Sequence, residues 1–480
     1  MVAFHKIPKL DWVKFEYPRR FNEFVYNKRN IIFAASLAIL VFFALGGHSR
    51  PVQMTLAVFA FSVACWVLEV FPISITGLMI PIALSLTGVF SPEEAFSSFG
   101  NPVIFLLIGG LVLGQSIRKH ELDKRIAVEI LVLSGGKTSR IFIFSMGVTA
   151  FISMWMSNTV AVAMVLPIIL TILSSISKED DNLKKKMLFG IIAGSTLGGV
   201  AMLTGSTPNM IAAAALGKEQ PFGFLQWAYY GIPVSLVSLV AAKLLLDRLF
   251  RSKDSVLNIE EIRKQKASLG PLSGKQKSVF LVFFATILLW FLGSEIEILM
   301  GLPSSISSAS IVSILSVLVM FGLDLLDMTD VKSVNWDIMF IVGGGLLLGN
   351  AMSSSGAAAV LGKGLLGAFP TFMLSFAFML LSAILTNFMS NSATTAMLVP
   401  VAIETARMSG QNPVVFVIGI AIASALAFVT PVGTPSTALV YNTGLINRKT
   451  MLLTGLALAS VMLLVIYIAT TAIFSISAVQ

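Results

Sequence analysis

The chain has 480 residues, 56% of them hydrophobic and only 12% charged, with a mean hydropathy of +0.90. So few polar groups cannot coat a soluble globule, which excludes a water-soluble domain of useful size and leaves a polytopic membrane protein. The net charge of +9 does not point to nucleic acid, because the basic residues lie in short loops between apolar runs and no nucleic-acid-binding motif accompanies them.

Residues 1–30 carry Lys6, Lys9, Lys14, Arg19, Arg20, Lys28 and Arg29 without an apolar core or a small-residue cleavage site. They read as a cytoplasmic arm and not a signal peptide. Runs of about 20 apolar residues, enough to cross roughly 30 Å of hydrocarbon, then follow at 31–47, 52–71, 73–90 and 102–117. The second holds Cys65, the single cysteine, so no internal disulfide forms. Next, "HELDKRIAVEILVL" sets its charges on one face and Leu122, Ile126, Ile130 and Leu133 on the other, as an interfacial helix does.

The stretch 138–176 is nearly twice the length of a span and carries "MSNTVAVAMVLP" at 156–167. Lys137 and Arg140 precede it, and Lys178 and Lys184 to Lys186 follow it. Positive charge on both flanks places both ends in the cytoplasm, so the segment enters the membrane and returns. Spans at 185–216 and 224–247 lead to a basic, inward loop at 248–277, and spans at 277–296, 305–326 and 335–352 follow. The second long stretch, 370–406, carries "MSNSATTAMLVP" at 389–400 with little positive charge on its flanks, which suits a hairpin entering from outside. Spans at 413–441 and 450–475 complete the chain. The expectation is an all-α polytopic membrane protein of about 11 transmembrane helices plus two re-entrant hairpins, N-terminus cytoplasmic and C-terminus outside.

The repetition extends beyond the hairpins. "GGLVLGQ" at 109–115 matches "GGLLLGN" at 344–350, and "TGSTPN" at 204–209 is echoed by "VGTPST" at 432–437, all in the same order. Shared order with opposite sidedness predicts an inverted-topology repeat, whose substrate site lies at the repeat interface near mid-membrane.

Irregular backbone at membrane depth is tolerated where protein buries it or it lines a cavity. The triplets Ser157, Asn158, Thr159 and Ser390, Asn391, Ser392 therefore offer hydroxyls, amides and helix N-termini whose positive ends favour an anion. "GSTPN" reads as an unwound loop between half-helices, with Gly205 and Ser206 in it, and its carbonyls join Ser153, Ser157 and Asn158 as hard oxygen ligands for a small monovalent cation. Gly433 to Thr437, with Thr386 and Asn391, supply a mirror set. The plainer reading, that these side chains only bond neighbouring helices, is weakened by their recurrence in both halves. For catalysis the inventory is poor. His5, His48 and His120 fall near span ends or outside, and Glu69 ends a span without a partner, reading as an interfacial carboxylate more readily than a proton relay.

Through "MSNT", "MSNS", "GSTPN" and "GTPST", the sequence from about residue 50 to its end resembles the divalent anion:sodium symporter (DASS) family. That resemblance implies a homodimeric secondary transporter of the elevator type, carrying C4 dicarboxylates such as succinate, malate or fumarate across a bacterial plasma membrane, with no cofactor beyond sodium as coupling ion. It implies scaffold helices at 31–101, 217–334 and 446–480, and transport-domain repeats at 102–216 and 335–445. The implied substrate contacts are Ser157, Asn158, Thr159, Ser390, Asn391 and Ser392, joined by Ser206 and Thr434 of the unwound loops. The implied first sodium site holds Ser153, Ser157, Asn158 and Gly205, and the second Thr386, Met389, Asn391 and Gly433. Three departures fall in the second half: "SNS" replaces "SNT", "GTPST" replaces a T-P-P-N-like pattern, and Asn387 stands where a carboxylate is common. These departures give an expectation of sodium-independent dicarboxylate exchange. The alternative is a sodium-coupled dicarboxylate or citrate symporter, and a more remote one a membrane enzyme or scaffold without cargo.

Overall fold

The computed structural model describes residues 21–174, 180–217, 222–301, 308–431 and 433–477. The expected arm up to residue 20, with His5, and also Lys178 and Val432, lie outside them. Twenty-two α-helices follow one another among the described residues. The first eleven are α1 (Phe21–Ala44), α2 (Arg50–Val67), α3 (Ile73–Leu86), α4 (Pro92–Ser97), α5 (Pro102–Lys119), α6 (Leu122–Val132), α7 (Thr138–Ser153), α8 (Asn158–Ser174), α9 (Asp181–Gly199), α10 (Thr207–Leu216) and α11 (Phe224–Leu249). After α12 (Glu260–Ser268) come α13 (Gly274–Met300), α14 (Ala309–Gly322), α15 (Met328–Lys332), α16 (Asp337–Ser354), α17 (Ala357–Ala368), α18 (Leu374–Leu385), α19 (Asn391–Met408), α20 (Pro413–Ala423), α21 (Pro435–Tyr441) and α22 (Arg448–Ser477).

The order α5 to α11 recurs as α16 to α22: a long helix, an amphipathic helix, a pair of hairpin arms, a helix that breaks, a short helix and a long one. The packing is reciprocal when α3 and α14, each two helices before its series, are counted with it. α5 lies on α14 and α3 on α16; α10 lies on α19 and α8 on α21; and α11 meets its counterpart α22. The arms α7 and α8 have 16 and 17 residues. At 1.5 Å per residue each is about 24 Å long, short of a bilayer crossing. α17 and α18 meet at a bend of 112°, so the second hairpin leaves its amphipathic helix at a sharp angle.

Six helices among the described residues are long and apolar enough to span a membrane, or seven if the bent pair is one span. The predicted spans at 185–216 and 413–441 are each broken in two: residues 200–206, with Gly205, part α9 from α10, whose second residue is Pro208, and the segment between α20 and α21 holds Pro431 and Gly433. α9 and α20 form the centre: every residue from Met187 to Gly199 and from Phe416 to Ala423 is buried. Phe280, Leu281, Phe284, Leu288 and Leu292 on α13 are exposed, as a lipid-facing helix requires.

The loop after α11 is fastened down. Arg125 of α6, itself buried, donates to Leu269 O at 2.7 Å and Gly270 O at 2.9 Å. Asp254 accepts from the Thr138 hydroxyl at 2.7 Å and the Ser139 N–H at 3.1 Å, capping α7.

Candidate functional site

Each hairpin turns on a short irregular tip, and the residue ending its first arm reaches across that tip. Ser153 ends α7 fully buried, with its Oγ 2.7 Å from Asn158 Oδ1 and 2.7 Å from Ser195 O of α9. In the second half, Thr386 follows α18 fully buried, with its Oγ1 2.7 Å from Asn391 Oδ1 and in contact with Ser424 O at the end of α20. The two triads are the same arrangement on different sequences. A hydroxyl has one proton, yet each faces two acceptor oxygens, so each tip holds more lone pairs than protons.

The unwound segments bring further oxygen. At Gly205 an added Cβ would lie 2.7 Å from Ser153 O and closer still to Gly199 O. At Gly199 it would strike Asn158 Oδ1 and lie 3.2 Å from Gly205 O. Only the absence of side chains lets these oxygens converge. Asn209, fully buried, holds the segment shut by donating to Gly199 O at 2.9 Å and Met202 O at 2.8 Å, while its own Oδ1 makes no hydrogen bond. In the second half a Cβ on Gly433 would lie 2.8 Å from Thr430 Oγ1 and 3.3 Å from Ala427 O. Thr430 Oγ1 is likewise buried without a hydrogen bond.

Of the residues singled out in sequence, Ser153, Asn158 and Gly205 are brought together, as are Thr386 and Asn391. Gly433 sits among the oxygens of its own loop. Met389 is buried in the hairpin turn, bonded through its N–H to Leu385 O. Ser157 stands exposed just before α8, and Ser390 caps α19 by accepting from Ala393 N–H. Thr159 and Ser392 are half-buried in the first turns. Ser206 precedes α10 without a capping bond, whereas Thr434 accepts from Thr437 N–H at 3.2 Å. Sequence reasoning passed over Gly199, the carbonyls of Ser195 and Ser424, and Thr430, while Asn209 was read as the end of the "GSTPN" loop but not as its clasp. Only the glycine-rich end of α9, "GSTLGG", carries a signal for any of them.

Three lysines of α6 and α9 have carboxylate partners. Lys186 pairs with Asp247 at 2.5 Å and lies over the Phe142 ring, Lys185 pairs with Asp181, and Lys124 with Glu121. No Lys or Arg occurs between Arg140 and Lys178, Lys186 and Lys218, Lys363 and Arg407, or Arg407 and Arg448. Any anion at the tips therefore meets dipoles and hydroxyls, with no fixed cation. Glu69 is exposed in a left-handed turn (φ 47°) after α2, as an interfacial carboxylate. A cavity of about 80 Å³ lies between α10, α16 and α19, lined by Asn350, Ser353 and Glu404 among others. None of the residues predicted for the site borders it.

The model of the CitMHS citrate transporter family matches residues 63–411 and 374–479. The chain belongs to the citrate transporter family. This family member is an integral membrane transporter and not an enzyme, as its relatives are. It is 32% identical over 453 residues to an uncharacterised transporter of Haemophilus influenzae, covering 92% of this chain and 96% of the relative. It is 30% identical over 433 residues to the sodium-dependent dicarboxylate transporter SdcS of Staphylococcus aureus, covering 84% and 83%. In fold alone it is similar to Neisseria gonorrhoeae MtrF, described as illuminating a class of antimetabolite efflux pumps. The TM-score is 0.55 at 13% identity, covering 82% of this chain and 84% of that one. The Alcanivorax borkumensis YdaH transporter matches at a TM-score of 0.51 and 14% identity, covering 82% and 88%.

Proposed function

We propose that this protein is a sodium-coupled symporter of C4 dicarboxylates. The observation that carries the reading is the mirrored pair Ser153–Asn158–Ser195 and Thr386–Asn391–Ser424, each with more acceptor oxygens than protons. A monovalent cation among these oxygens offsets their mutual repulsion. The pair also bears on the choice between exchange and coupling. The departures of the second half, "SNS" and "GTPST", leave its hydroxyl–amide–carbonyl triad in place, and relatives named as sodium-dependent dicarboxylate transporters support coupling over the exchange expected from sequence.

In this mechanism two sodium ions, one per tip, make the site attractive to a dianion that no lysine or arginine holds. The carboxylates lie against the N-termini of α8 and α19, where unsatisfied N–H groups and helix dipoles point at the ligand. Ser157, Asn158 and Thr159 contact one carboxylate, Ser390, Asn391 and Ser392 the other, and Ser206 and Thr434 flank them. Helices α5 to α10 and α16 to α21, hairpins included, move as a transport domain against scaffold helices, α11 and α22 among them, in an elevator stroke, within a homodimer. Because the ions and substrate cross together, the loaded site passes through the membrane near neutrality.

The test is labelled succinate uptake into empty proteoliposomes under an inward sodium gradient. Uptake above equilibrium that vanishes in choline is expected, and uptake that needs internal dicarboxylate and ignores sodium overturns the reading. Citrate is assayed beside succinate, because the family model is that of citrate transporters.

A further inference from the structure

We infer that Asn387 is a positioning residue that ties the second hairpin to the second unwound segment and thereby sets sodium affinity at that tip. The inference rests on the coupled reading above. Asn387 directly follows Thr386, and its side chain bridges two elements. Its Nδ2 donates to Ala383 O at 2.7 Å, and its Oδ1 accepts from Val429 N–H at 3.2 Å. The partners, a carbonyl and an N–H, fix which end of the amide is which.

Val429 belongs to the segment 424–434 that contributes Ser424 O, Thr430 Oγ1 and Gly433. The first half makes the corresponding tie the other way round. There the loop supplies the side chain, with the Thr204 hydroxyl donating at 3.1 Å to the carbonyl of Met154, the residue after Ser153. In both halves, then, the position after the buried hydroxyl is bonded to the unwound segment, through backbone in one and side chain in the other. Without the Asn387 tie the Val429 N–H has no acceptor, and the segment is free to carry its oxygens away from Thr386. The substrate groups of Ser390, Asn391 and Ser392 stay at the N-terminus of α19, which the tie does not touch.

The experiment measures sodium half-saturation of succinate uptake, and succinate KM at saturating sodium, for the wild type, Asn387→Ala and Asn387→Asp. Amide exchange of the peptide containing Val429 is followed in parallel on purified protein. Asn387→Ala is expected to raise sodium half-saturation about tenfold, the effect of one lost hydrogen bond, to leave succinate KM within about twofold, and to speed exchange at Val429. Asn387→Asp keeps the acceptor for Val429 N–H and restores slow exchange, with sodium half-saturation within about threefold of wild type. If Asn387→Ala fails to fold, Asn387→Leu, which keeps the volume without the bonds, takes its place. Unchanged sodium half-saturation in Ala or Leu with a sodium-dependent wild type, or an equal rise in succinate KM, overturns the inference. A wild type indifferent to sodium instead overturns the coupled reading itself.

Discussion

Ser153 and Thr386 differ by a methyl group, yet each faces an asparagine amide five residues on and a carbonyl from the helix behind. Asn158→Ala and Asn391→Ala should therefore each reduce uptake to background, because both remove polar atoms where no other side chain replaces them. Purified yield and melting temperature should change little. Near wild-type transport by one variant, with the other dead, would break the equivalence of the halves. Glycine offers a sharper contrast. Gly205→Ala puts a methyl into the Ser153 and Gly199 carbonyls, whereas one at Gly147 meets nothing within 4 Å. Sodium-driven uptake should be lost in the first and unchanged in the second. Asn158, Asn391 and Gly205 were legible in the sequence because their motif is written twice. Gly199 and Thr430 were not, since convergence across an unwound backbone leaves no pattern along the chain.

The elements were read well where hydropathy changes and poorly where it does not. Both hairpins fall where the expected stretches do, and their tips coincide with the repeated motifs. The short α4, α12 and α15 escaped notice because six, nine and five residues carry too little periodicity to register. α12 has a structural purpose: it belongs to the loop that Arg125 secures. Arg125→Ala should leave the Leu269 and Gly270 carbonyls without their donor and expose the loop. Tryptic cleavage at Arg263 to Lys266 should accelerate several-fold in detergent, and cleavage at the wild-type rate would show that Arg125 does not hold it. α6 also carries Asp123, 3% exposed, whose carboxyl is pushed up to about 6 by burial. A carboxyl with a folded pKa above its unfolded value favours the folded state at low pH, and that contribution falls away as pH rises from about 4 to 6. Asp123→Asn keeps an acceptor for Lys124 N–H and should raise the melting temperature at pH 7.5, by at most about 3 kcal/mol in stability, while matching wild type at pH 4.5. A gap independent of pH would mean the carboxyl's charge is not what matters.

At the scale of the whole molecule, the duplicated order of motifs predicted two series of elements, and the reciprocal packing of α5 on α14 with α3 on α16, and of α10 on α19 with α8 on α21, agrees with it. The expected count of about eleven crossings was harder to read. Two spans are broken by unwound segments, and a broken span and a crossing have the same hydropathy. Exchange against coupling was the least legible choice. The altered letters of the second half pointed to exchange, but a carbonyl such as Ser424 O is supplied by any residue, so the altered motif does not remove the triad. If both tips bind sodium, the coupling ratio reports it. Setting proteoliposomes to a known sodium ratio and finding the succinate ratio at which net flux reverses gives the number of sodium ions moved with each substrate. Two or more are predicted, whereas a ratio of one, or a reversal point that ignores sodium and follows the dicarboxylate gradient alone, would contradict the account.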